Sequence, residues 1–515
     1  MILSKIILDG VGIDLIDDGY VKNGNSYFTL LVGVNGRGKS RILEAISATG
    51  VVRQYIDFKG IGNDGGSKGL RMDRRPIGFL AGVSFKESCI HYELKSSNHL
   101  SIKRYLPDNP GLNHERFSYD YSGNEMPSKI ICVTNSIFNK FPSISNTVIR
   151  ELDYDYSAYQ NLSISEDFLN GGKELLHGAK AKIFSKLILN AFFSGENVFN
   201  KVTFFLNTFG ISGRYKIYLR AHSYLKGVSS EGVHDVALLR EWYEGLTKPY
   251  KQGGNELTDD IINIIDEVFK KLFSGLLVGP LLSYDDSQYF TSKYEFEIYV
   301  DNEIDSKNEF YEKIKIIADF DVIQVEKIEF MKDGDVIGLD SMSSGELNLF
   351  ILLFKINSVI ENDALILIDE PELSLHPSWQ NEVIPSLQKA FSSYSGCHFI
   401  IATHSPHIVS SIPEKDSCVT ILNNYPKAFP GHRFSGRSSD FQLFSVLGFV
   451  GAENDYLITQ LILIISKLAE ELPLTQGEQY LLDEAGNILQ NESTSQRVKH
   501  LILQAQRLNG EVDDE

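Results

Sequence analysis

Cysteine is scarce and scattered: the 515 residues hold four, Cys89, Cys132, Cys397 and Cys418, with no C-x-x-C pair. That spacing excludes a disulfide framework and a cysteine-type zinc module. Long apolar runs are missing as well. The longest aliphatic stretches, such as Leu461–Ile465, fall far short of the ~20 residues of a membrane span. The opening, Met1 to Asp9, is too short and too soon acidic for a signal peptide, so the expectation is a soluble, cytoplasmic chain with no membrane partner. Positive charge is in deficit: 49 Lys and Arg stand against 68 Asp and Glu, a net −19. An indiscriminate nucleic-acid coat protein needs surplus cations and is excluded. Hydrophobic residues at 43% and charged residues at 23% are ordinary globular usage, which excludes wholesale disorder. At roughly 150 residues per domain, the length predicts about three domain-sized units.

The charge deficit is uneven. Residues 1–150 carry 19 basic and 14 acidic side chains, or +5, which leaves −24 for residues 151–515. A polyanion site is therefore expected in the first third. There the glycine-rich stretch 61–76 reads as an exposed loop, and Arg71, Arg74 and Arg75 are its candidates for nucleic-acid contact. The alternative is a merely solvated charge cluster, the commoner fate of such runs.

Apolar periodicity predicts an α/β chain interrupted by helix. Residues 1–149 read as strands around one glycine-rich turn, with further strands near 79–104 and 129–134. Residues 150–285 take on helical spacing, as in Lys173–Phe193 and in Ile262, Ile265, Val268, Phe269 and Leu272. Strand pattern returns within 286–450, at Tyr294–Val300 and at Val322–Ile337, where Lys332 to Asp335 makes a credible hairpin turn. Residues 451–515 are helical and acidic (4 basic, 12 acidic) and are expected to serve assembly or partner docking. Their apolar face, Val498, Leu501, Ile502, Ala505 and Leu508, would equally complete the chain's own core.

Four clusters carry chemistry. Gly33-Val34-Asn35-Gly36-Arg37-Gly38-Lys39-Ser40 fits G-x-x-x-x-G-K-[ST] between a strand and a helix. Glycines let backbone N–H groups turn toward phosphates, Lys39 reaches the β/γ oxygens and Ser40 offers a hydroxyl to Mg²⁺. Ala364 to Ile368 make a buried parallel strand that ends in Asp369 and Glu370. Asp369 would hold Mg²⁺ and Glu370 would polarise the attacking water. Met342-Ser343-Ser344-Gly345-Glu346 opens an apolar helix whose N-terminus suits a γ-phosphate. Ile400 to Ala402 read as another strand, followed by Thr403 and His404, which is placed to contact the γ-phosphate and the water. His404 and His407 lack a third ligand nearby, so zinc is not expected.

Together these residues resemble the ATP-binding cassette (ABC) class of P-loop ATPases. Walker A stands at 33–40, the signature at 343–346, Walker B at 364–370, a D-loop at Ser374 to Pro377 and a switch histidine at His404. The resemblance implies an ABC-type head, with a parallel core sheet and an antiparallel β lobe, a helical insertion and a helical C-terminal extension. It implies ATP and Mg²⁺ as ligands, with Gly33 to Ser40 of one copy facing Ser343 to Glu346 of another in a head-to-tail homodimer or higher oligomer. No Q-loop glutamine is evident; Val133 to Phe138 stand in its place, which argues against coupling to a transporter's membrane domain. The phrases Leu367 to Pro377 and Ala402 to Pro406 are similar to those of bacterial SMC-like defence ATPases, notably the Septu (PtuA) family, some of them encoded with retrons. That resemblance implies a separate HNH nuclease as partner and control by nucleotide or by nucleic acid, DNA or RNA. Two alternatives stay open: an SMC-like DNA-repair ATPase acting directly on DNA, and a slow nucleotide-sensing scaffold.

Overall fold

The computed structural model describes residues 2–21, 23–33, 36, 38–58, 68–70, 87–92, 99–105, 116–122, 127–134, 140–142, 159–162, 206–207, 211–222, 225–229, 231–247, 257–274, 280–282, 294–301, 309–320, 322–332, 335–338, 342–423, 425–449, 454–486, 489 and 494–510. They fall into two compact units, Met1–Asn170 with Ile360–Glu515, and Gly171–Val359.

The first unit is built on a seven-stranded sheet. Its strands are β3 (Tyr27–Val32), β8 (Ile130–Thr134), β9 (Tyr159–Asn161), β17 (Leu365–Asp369), β18 (His398–Ala402), β19 (Ser417–Ile421) and β20 (Lys427–Pro430), in the order β20-β19-β3-β18-β17-β8-β9. All neighbours are parallel except the edge pair β19–β20. The four central strands are buried at every position, as near-continuous apolar runs must be when helices cover both faces. The helix Lys39–Phe58 packs on β17 and β18, and Pro377–Ala390 buries Val383, Ile384, Leu387 and Ala390.

A second sheet in this unit is antiparallel. It comprises β1 (Leu3–Leu8), β2 (Val11–Asp14), β4 (Lys68–Leu70), β5 (Glu87–Tyr92), β6 (His99–Tyr105) and β7 (Arg116–Ser122), in the order β2-β1-β5-β6-β7-β4. The stretch 61–76 is thus not loop throughout, because Lys68–Leu70 pairs with β7; Arg71, Arg74 and Arg75 lie outside the described residues. A buried histidine joins the two sheets. Leu3 N donates to His398 Nδ1 at 3.0 Å, which leaves Nε2 to donate to Thr29 Oγ1 at 2.8 Å, and Thr29 in turn donates to Leu15 O. Burial pushes the His398 imidazole down to about 3, so the ring is neutral.

The C-terminal helices Ser439–Ser445, Asp455–Ala469, Gln476–Gly486 and Gln496–Leu508 follow. Ser438, Asn454 and Ser495 cap three of them by accepting from N–H groups three residues on. Val498, Ile502 and Ala505 are fully buried against Leu457, Leu461 and Leu482, with Leu501 packed alongside, while Leu508 is 47% exposed. That face closes a local core.

The second unit carries an antiparallel sheet of β10 (Ile211–Ala221), β13 (Pro280–Leu282), β14 (Tyr294–Asp301), β15 (Ile323–Lys332) and β16 (Asp335–Gly338), ordered β13-β14-β10-β15-β16, and a small hairpin of β11 (Val228–Ser229) and β12 (Gly232–Val233). Residues 150–285 therefore contain strand as well as helix: Tyr215, Ile217, Leu219 and Ala221 are buried at alternate positions of β10. Lys332 faces Asp335 across β15–β16, the register of the expected hairpin. The helix Asp259–Phe273 has Thr258 as its cap, acids in its first turn and Lys270 and Lys271 in its last, matching the helix dipole at both ends. Lys173–Phe193 lies outside the described residues.

Candidate functional site

Parallel register gathers four strand ends at one edge of the first unit's sheet. Asp369 sits beside Ala402 and Thr134, and Ala402 beside Leu31, so β3, β8, β17 and β18 all end together. In open α/β sheets the carboxyl edge is where ligands bind.

Gly33 leaves β3 where a Cβ would meet Leu422 O at 2.9 Å, so only glycine fits. Gly36 and Gly38 have φ of 81° and 86°, the left-handed region that turns the loop into the helix Lys39–Phe58. Val34, Asn35 and Arg37 lie outside the described residues. Lys39 is buried (5% exposed) and its Nζ donates to Gly33 O at 2.8 Å and to His404 Nδ1 at 3.1 Å. Burial lowers its pKa to about 8, against the pull of Glu372, Glu370 and Asp369. An ammonium held short of solvation has a strong demand for anionic oxygen.

Ser40 Oγ donates to Asp369 Oδ1 at 3.1 Å, so a hydroxyl and a carboxylate meet at the start of the helix. Burial raises Asp369 to about 6, partly countered by Ser40. A carboxylate so placed is stabilised by a cation. A hydroxyl plus a carboxylate is a donor set for Mg²⁺, which takes oxygen ligands and keeps several that the protein does not supply. Among the described residues no group of three or more His, Cys, Asp or Glu could hold a metal.

Glu370 follows with φ of 49°, a left-handed conformation that a non-glycine residue adopts at a cost of ~1–3 kcal/mol. Its N–H donates to Ala402 O at 2.9 Å, which fixes the reversal. His404 Nε2 stands 3.9 Å from Glu370 Oε1. Because an ammonium only donates, Nδ1 accepts from Lys39 and Nε2 carries the proton. Burial and then the Lys39 charge push His404 down to about 4, so the ring is neutral at pH 7.

Glu372 was not singled out by the sequence reading. Its Oε1 accepts from His404 N at 2.6 Å, while Oε2 is buried with no hydrogen-bond partner among the described residues. Burial raises its pKa. The only sequence signal was a second acid two residues after Glu370 in Glu-Pro-Glu. Ser405 completes the turn: its Oγ donates to Gln380 Oε1 at 2.6 Å and caps Pro406–Ser410.

Lys39, Ser40, Asp369, Glu370 and His404 are thus brought together. Ser343, Ser344, Gly345 and Glu346 belong to the second unit. Ser343 Oγ accepts from Glu346 N at 3.2 Å and caps the helix Ser344–Val359, with Ser343 and Ser344 exposed.

Residues 242–409 match the AAA ATPase domain family. The chain is similar to the retron Vc95 probable ATPase of Vibrio cholerae, at 24% identity over 36% of this chain and 38% of that protein. The retron Ec83 probable ATPase of Escherichia coli shares 35% identity over 17% of each chain. Septu protein PtuA of Bacillus mycoides shares 22% over 39% of this chain and 30% of its own length. The matched stretches span well under half of each relative. An SMC head bound to a winged-helix domain of ScpA overlaps 84% of the chain at a TM-score of 0.29 and 14% identity, too loose to carry an argument. No described helix is long and apolar enough to cross a membrane.

Proposed function

We propose that the carboxyl edge of the parallel sheet binds ATP with Mg²⁺ and hydrolyses it. The observation that carries this reading is the convergence of Lys39, Ser40, Asp369, Glu370 and His404 at one sheet edge. Glycine-freed N–H groups and Lys39 would cradle the β- and γ-phosphates. Ser40 and Asp369 would hold Mg²⁺, which supplies charge neutralisation at the phosphoryl oxygens. Glu370 would orient and deprotonate the attacking water, and the Nε2–H of His404 would donate to a γ-phosphate oxygen. Ser343, Ser344, Gly345 and Glu346 would close the site from a second copy, as the exposed N-terminus of their helix permits.

At the level of the whole protein we infer a regulatory ATPase of a cytoplasmic bacterial anti-phage defence system, working as head-to-tail dimers that control a separate HNH-type nuclease. Support comes from the likeness to retron and Septu ATPases. Steady-state turnover, light scattering with and without ATP, and co-purification with the co-encoded nuclease test the three parts separately. A chain that neither binds nor turns over ATP sinks the first part; one that stays monomeric with Glu370→Gln and saturating ATP sinks the second. Failure to retain the nuclease removes the third.

A further inference from the structure

An unusual run of charge starts beside the phosphate loop, where Ile421 pairs with Val32 and Leu422 N donates to Val32 O, and runs away from it along β20. No acidic residue occurs between Asp416 and Asp440, in a chain of net −19. That run carries Lys427, Arg433 and Arg437, all exposed, and none has a carboxylate partner among the described residues. Each lies on an aromatic ring instead. Lys427 Nζ is 5.6 Å and Arg433 Cζ 5.5 Å from the centre of Phe429, and Arg437 Cζ is 5.6 Å from that of Phe441. Phe434 links the two rings, 6.4 Å from Phe429 and 6.5 Å from Phe441. Tyr425, at the β19–β20 turn, is 87% exposed.

We infer that this strip, from Tyr425 to Arg437, is a docking surface for single-stranded nucleic acid. Cations stacked on rings keep their N–H groups free for phosphates while their outer faces stay open to bases. A bare tyrosine ring is a platform on which any base can stack. An acidic polypeptide would satisfy the cations but has no use for the ring. The first-third arginines, the sequence's candidates for such contact, lie outside the described residues, and the inference is independent of the ATP reading.

The test is fluorescence anisotropy of a labelled 20-nucleotide single strand with the full chain across a salt series. Single-strand affinity falls with salt by about 0.7 in logarithmic slope per neutralised phosphate. Lys427→Glu/Arg433→Glu/Arg437→Glu should weaken binding at least about tenfold and flatten the slope by about 2. Arg433→Gln, a change at an exposed side chain, carries the test if the triple variant does not fold, with a slope flatter by about 0.7. Tyr425→Ala should weaken binding roughly 5- to 150-fold with the slope unchanged, since it removes stacking and no charge. ATP turnover should be unchanged in Arg433→Gln, because Arg433 lies past the end of β20 opposite the phosphate loop. Unchanged affinity and slope in the charge variants overturns the inference. So does equal affinity for duplex, or displacement of the strand by polyglutamate with Tyr425→Ala silent, which marks an acidic-protein surface instead.

Discussion

Replacing Lys39 with methionine should make the protein more stable and unable to hold ATP. Methionine keeps the length of the side chain and removes the charge. The fall in the Lys39 pKa from 10.5 to about 8 is the cost of burying the ammonium that remains after the attraction of Glu372, Glu370 and Asp369. At about 1.4 kcal/mol per pH unit it comes to roughly 3 kcal/mol. Solvent reaching the site reduces this, and loss of the hydrogen bonds to Gly33 O and His404 Nδ1 removes about 1 kcal/mol each. A net gain of up to about 1 kcal/mol remains. The unfolded chain holds the Lys39 proton up to 10.5 and the folded chain only to about 8. The penalty is therefore complete below pH 8 and relieved as pH rises from 8 to 10.5, and the advantage of methionine shrinks over that window. Urea denaturation at pH 7 reads the gain. Saturating ATP and Mg²⁺ should then reverse the order, adding about 2.7 kcal/mol to wild type at 100 times Kd and nothing to the variant. A variant less stable than wild type without nucleotide would show that burial of Lys39 is not costly. A variant still stabilised by ATP would show that Lys39 is not the phosphate cation.

Four further outcomes are expected. ATP binding at pH 8 should take up about half a proton, because Lys39 is half protonated there and fully so beside phosphates; calorimetry in two buffers of different ionisation enthalpy reads this, and zero uptake contradicts it. Glu370→Gln should bind ATP but lose about 10²-fold or more in turnover, and near-normal turnover in a steady-state assay would reassign the water-orienting role. Ile502→Ala, in the C-terminal core, should cost ~2–5 kcal/mol in urea denaturation, whereas Leu508→Ala should stay within about 0.5 kcal/mol. Stability should fall as pH drops from 6.5 toward 3, because the unfolded chain protonates His398 at 6.5 and the folded chain only near 3. His398→Phe should flatten that part of the urea-midpoint profile, and an unaltered profile would place the acid sensitivity elsewhere.

The parallel sheet and the candidate site at its carboxyl edge were legible in the linear chain because each part is local. A run of aliphatics such as Leu365 to Ile368 announces a buried strand without reference to any other residue, and β3, β8 and β18 carry apolar runs of the same kind. Glycines before Lys39, and acids after Ile368, likewise take their meaning from their neighbours in sequence. Only the tertiary structure decided the rest, since burial and register are relations between distant segments. Whether Val498, Ile502 and Ala505 close a core or meet a partner depended on what lay opposite them, and Leu457, Leu461 and Leu482 do. Residues 150–285 were expected to be helical, and the pairing of β10 with β14 and β15 is what reveals strand there. Glu372 and His404 are 32 residues apart; a strand crossover puts the carboxylate of one on the backbone of the other. The pKa shifts of Lys39, Asp369 and His404 follow from burial at that edge, which no single segment possesses until the strands have paired.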